Sequence, residues 1–107
     1  LQALAGELLK QEGLESLTPE QAKEQFRGST DVGNVSYACP TQFIEMDPCC
    51  GKVFRAHTQE ALELADAPAY PMLHKAVRIL AGMGAEIIQN DALREACRRE
   101  FAAAVKA

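Results

Sequence analysis

The sequence contains no uninterrupted apolar run approaching the roughly 18 residues that a bilayer-spanning helix needs, so no membrane partner is expected. Its opening stretch, LQALAGELLKQEG, carries acids early and has no basic front, so it does not read as a signal peptide. Positive charge is also short. Eleven Lys and Arg against 15 Asp and Glu give a net charge of -4 and a pI near 5.1, which removes the electrostatic reason to expect nucleic acid. A small anionic substrate stays compatible, because local charge can depart from the total. Internal repeats and low-complexity tracts are absent. Histidine is scarce, at two residues, and the four cysteines (Cys39, Cys49, Cys50, Cys97) include an adjacent pair that cannot easily bridge to itself. Reduced thiols and a cytoplasmic setting are therefore expected. Leu1 stands where a complete chain would begin with Met, and the expectation is an excised or processed segment.

What is present fits one domain or part of one, since 107 residues lie at the lower end of the usual domain range. A composition of 48% hydrophobic and 24% charged residues is that of a globular chain. Leu1, Leu4, Ala5, Leu8 and Leu9 recur at helical spacing, and Gly13 stands where a glycine ends a helix. Thr18, Pro19 and Gln21 make a capping box for a short helix to about Phe26. Farther on, Phe43, Ile44 and Met46, a turn at Asp47-Pro48, then Val53 and Phe54 read as two short strands, because Pro40, Pro48 and Gly51 interrupt any helical period. After Pro71, one stripe of Leu73, Ala76, Val77, Leu80, Met83, Gly84, Ile87 and Ile88 predicts a long helix. Asn90 or Asp91 would cap a last helix with the face Leu93, Ala96, Cys97, Phe101, Ala104 and Val105. The fold class expected is α/β: a single partial domain over 1–107, with helices packed on a small piece of sheet whose other strands come from elsewhere.

Two places could carry chemistry. The loop GSTDVGNVS offers backbone N–H groups, the hydroxyls of Ser29, Thr30 and Ser36, the Asp31 carboxylate and the Asn34 amide. Gly28 and Gly33 would let such a backbone approach a ligand closely, although a polar connector reads the same way. It is not a nucleotide-phosphate loop, because no lysine followed by a hydroxyl residue comes after Gly33. His57, just past the second expected strand and ahead of Glu60 and Glu63, could ligate a metal or could be plain surface. His74, beside Lys75 and Arg78, reads as a solvated flank residue. A thiol nucleophile at Cys49 or Cys50 with His57 as base is conceivable. A zinc site from Cys39, Cys49, Cys50 and His57 fails the usual ligand pairing two to four residues apart.

Taken together, GSTDVGNVSYACPT, the histidine of AHTQEA, and LHKAVRILAGMGAEIIQNDALREACRREF resemble the C-terminal end of the zinc-dependent aminoacylase and carboxypeptidase family of metallopeptidases. The branch that looks most similar holds p-aminobenzoyl-glutamate hydrolase and the aminoacylase-1-like amidohydrolases. The likeness spans 28–107 and reaches the first 27 residues only through their helical character. Gln59 replaces the branch's usual proline, and EMDPCCGKVFR is less regular than the strand and turn found there. The resemblance implies that His57 is a metal ligand, and that Gly28, Ser29, Thr30, Asp31, Gly33 and Asn34 line the substrate pocket. It further implies two divalent ions, zinc by preference, in the intact enzyme, with an N-acyl amino acid or small peptide-like amide as substrate. The remaining ligands, the glutamate base and the dimerising lid domain of a homodimer would lie outside these residues, so the chain alone is expected to be inactive. The rival reading is a noncatalytic helical interaction module.

Overall fold

The computed structural model describes residues 1–16, 18, 20–21, 30–48, 51, 55 and 57–105. Among them every regular element is helical: α1 (Gln2–Gln11), α2 (Val32–Ser36), α3 (Gln59–Leu64), a single 3-10 turn (Ala67–Ala69), α4 (Tyr70–Gln89) and α5 (Asp91–Val105). The α/β expectation is thereby corrected to an all-helical architecture. Residues 43–46, read as the first strand, form no ladder, and the second strand's Val53 and Phe54 lie outside the described residues. Two strands alone make a marginal sheet in water. Ile44 and Met46 instead place their apolar side chains against the helical core, while Phe43 stays half exposed. The turn at Asp47-Pro48 does form, with Gly51 at φ 81° donating its N–H to Asp47 Oδ2 at 2.5 Å.

The end of α1 shows why its boundary was readable. Gly13 takes the left-handed φ of 71° that a side chain disfavours, and the chain folds back so that Gly13 N–H meets the Lys10 carbonyl and Leu14 N–H the Leu9 carbonyl. These two bonds satisfy carbonyls that the helix end would leave orphaned. Leu9 and Leu14 both pack on the core beside that turn. The capping box at Thr18 is likewise present: Thr18 N–H donates to Gln21 Oε1 at 2.9 Å, and Gln21 N–H to Thr18 Oγ1 at 3.3 Å. Its helix beyond Gln21, including the expected end near Phe26, lies outside the described residues.

The core sits where α1 crosses α4, with Ala5, Ile79 and Met83 buried and Leu4, Leu8, Leu9 and Leu14 around them. Gly82 receives Leu8 there. A Cβ at that position would stand 3.1 Å from Leu8 Cδ2, so the glycine sets how closely the two helices approach. The expected α4 stripe is corrected in part: its Met83 is in the core, but most of its large residues are not. Leu73, Val77, Leu80 and Ile88 are more than half exposed, and the face that meets α1 is Lys75, Arg78, Ile79, Gly82 and Met83. Those five follow the i, i+3, i+4, i+7, i+8 spacing of one helix face.

At the α5 end, Asn90 Oδ1 accepts Leu93 N–H at 3.0 Å and so caps α5, as its sequence signal predicts. Arg94 donates to the Ile87 and Ile88 carbonyls at 2.8 and 2.6 Å, placing a cation on the negative end of α4. It also pairs with Asp91. Along α5, Leu93, Cys97 and Phe101 are half-buried, whereas Ala96, Ala104 and Val105 of the expected face are exposed.

An ionic latch closes the α1–α4 crossing. Arg78 donates through Nε and Nη2 to the two Glu12 carboxylate oxygens at 2.7 and 2.6 Å, and Lys75 Nζ donates to the Glu12 carbonyl at 2.7 Å. The Arg78 hydrogen bonds hold the Glu12 carboxyl below its ordinary value of 4.5, against an opposing effect of desolvation and with help from the two cationic charges. A depressed carboxylate stabilises the fold above its unfolded value and ceases to do so as pH falls through the folded value. Glu12→Gln should therefore lower the urea midpoint at neutral pH, and the gap from the parent should begin to close below the ordinary value of 4.5. A gap that stayed constant through that acid range would show that the carboxylate charge contributes nothing.

Candidate functional site

The residues expected to face substrate fall partly on a helix rather than on an open loop. Gly28 and Ser29 lie outside the described residues, Thr30 and Asp31 lead into α2, and Gly33 and Asn34 are inside it. The turn starts because Thr30 Oγ1 accepts Val32 N–H at 3.3 Å and the Asp31 carbonyl accepts Asn34 N–H at 2.9 Å. Gly33 therefore needs no special backbone angle, and a Cβ there would meet open space. The space beside it is open, so no neighbouring group of the chain itself requires a glycine there. Ser36 is also committed, its hydroxyl donating to the Gly33 carbonyl at 2.6 Å.

Asp31 and Asn34 differ from Ser36. Asp31 is the residue before the helix, yet its carboxylate does not cap α2, and no described residue hydrogen-bonds that carboxylate or the Asn34 amide. Both are exposed, as are Thr30 and Gly33. Polar side chains released from local capping can meet a ligand without breaking the element that carries them. If the Asp31 charge works on a substrate, Asp31→Asn in the intact protein should reduce kcat/KM by about tenfold or more, which is 1.4 kcal/mol of lost transition-state stabilisation. The far-UV circular dichroism should be unchanged. Full activity in this variant would make GSTDVGNVS a connector.

His57 is placed by the start of α3. Thr58 is its N-cap: Oγ1 accepts Ala61 N–H at 3.2 Å and donates to the Arg55 carbonyl at 2.7 Å, fixing the chain on both sides of the histidine. Helix α3 was not anticipated, although Thr58 followed by Glu60 in the first turn is its sequence signal. Between these ties His57 adopts φ 61°, the left-handed region and the one such non-glycine residue among those described. Its ring is exposed, has no described hydrogen-bond partner, and stands at the edge of an open depression formed with Thr58, Gln59, Ala61 and Leu62. His74 is exposed on α4, in agreement with its reading as a flank residue.

Among the described residues no element contact joins these two places. Helix α2 packs on no other described helix, α3 contacts the 3-10 turn, and no three His, Cys, Asp or Glu side chains among the described residues could hold one metal ion. Cys39 and Cys97 are free thiols, while Cys49 and Cys50 lie outside the described residues. None of the described helices is long and apolar enough to cross a membrane. Comparison with known proteins adds no assignment: no family model, curated protein or solved structure matches the chain.

Proposed function

We propose that this chain is part of a metal-dependent amidohydrolase that cleaves the amide bond of N-acyl amino acids or small peptide-like substrates. The observation that carries the reading is His57, an exposed imidazole without a described partner, held at a left-handed φ between the Arg55 carbonyl and a capped helix. Backbone held in a disfavoured region is concentrated at sites where a side chain must be aimed. The ordered likeness of the loop, the histidine and the helix pair to the aminoacylase and carboxypeptidase family supports the same conclusion.

His57 fits a metal as a neutral imidazole donor, but catalytic zinc usually has three protein ligands and the described residues offer no such group. The chain would thus supply one ligand, and the other ligands, a general base and the rest of the catalytic domain would complete the site in a cytoplasmic, homodimeric enzyme. Divalent ions bound there, with zinc the preferred metal, would polarise the amide carbonyl and acidify a water. Thr30, Asp31 and Asn34, with Gly28, Ser29 and Gly33 of the same loop, would orient the substrate.

Chelation provides the test. Hydrolysis of N-acyl amino acids by the intact enzyme should disappear in chelator, return with zinc, and survive thiol alkylation. Activity indifferent to chelator and lost on alkylation would put the chemistry on a cysteine. The exposed apolar residues of α4 favour a second reading, a noncatalytic helical interaction module, which predicts no hydrolysis under any of these conditions.

A further inference from the structure

We draw no further inference here: the strongest candidate, the exposed apolar row of Tyr70, Leu73, Val77, Leu80 and Ile88 along helix α4, has nothing in the structure to show what covers it.

Discussion

Ile79→Ala is expected to cost about 2 to 4 kcal/mol of folding stability, whereas Leu80→Ala, one residue away on the same helix, should stay within about 0.5 kcal/mol. The contrast follows from burial. Ile79 is 1% exposed, with Met83 beside it in the core and α1 leucines packed around, while Leu80 is 64% exposed. Truncating Ile79 removes apolar contact and leaves a void that the crossing of α1 and α4 cannot fully close, since Gly82 already brings Leu8 close to the helix. Truncating Leu80 removes surface that water already reaches. Urea unfolding followed by far-UV circular dichroism reads both variants. If Ile79→Ala leaves too little folded protein for a midpoint, Ile79→Val, expected to cost about 0.5 to 1.5 kcal/mol, keeps the comparison measurable. Equal losses at positions 79 and 80 would contradict the α1–α4 packing, and a larger loss at Leu80 would restore the face expected from hydrophobicity alone.

That expected face shows how far the chain could be read without coordinates. Helix α4 carries two rows at the same spacing, one residue apart, Leu73, Val77, Leu80 and Gly84, and Met72, Ala76, Ile79 and Met83, and the expected stripe took all of the first with Ala76 and Met83 of the second. Periodicity identifies a helix from either row and cannot choose between them. The choice is made by α1, whose Glu12 takes both Lys75 and Arg78, so the face that buries Ile79 is the one carrying two cations. Charge made that face look solvated in the sequence. Local signals fared better, because they depend on adjacent residues: Gly13 ends α1, Thr18 with Gln21 forms its box, and Asn90 caps α5. The strand reading of 43–46 failed for the opposite reason. Alternating apolar residues become a strand only when a neighbour accepts the ladder, and here Ile44 and Met46 are drawn onto the helical core. At the candidate site, the residue types of Asp31, Asn34 and His57 were visible in sequence. The helix that carries Asn34 and the left-handed backbone of His57 were not, because each depends on bonds from Thr30 or Thr58 that composition does not reveal.

The same backbone angle allows a strict test of His57, because its two possible roles respond differently to substitution. If the imidazole binds metal, as the amidohydrolase proposal has it, His57→Ala and His57→Gly in the intact protein should both lower metal occupancy and hydrolysis. Replacing groups that merely orient a ligand commonly costs about 10- to 100-fold, so losing the ligand itself should exceed about 100-fold in activity. If His57 only occupies a turn, the two variants should diverge in stability alone. Glycine accepts the φ of 61° without a Cβ penalty, whereas alanine carries the same Cβ there as the native histidine, so His57→Gly would gain stability, His57→Ala would stay near the parent, and both would keep their activity. His74→Ala supplies the reference for removing an exposed imidazole and should change neither metal content nor turnover. Metal analysis of each purified variant, beside kcat/KM on an N-acyl amino acid, separates the cases. Retention of metal and turnover by His57→Gly would withdraw the ligand assignment, while their loss in a variant at least as stable as the parent leaves the missing imidazole as the cause.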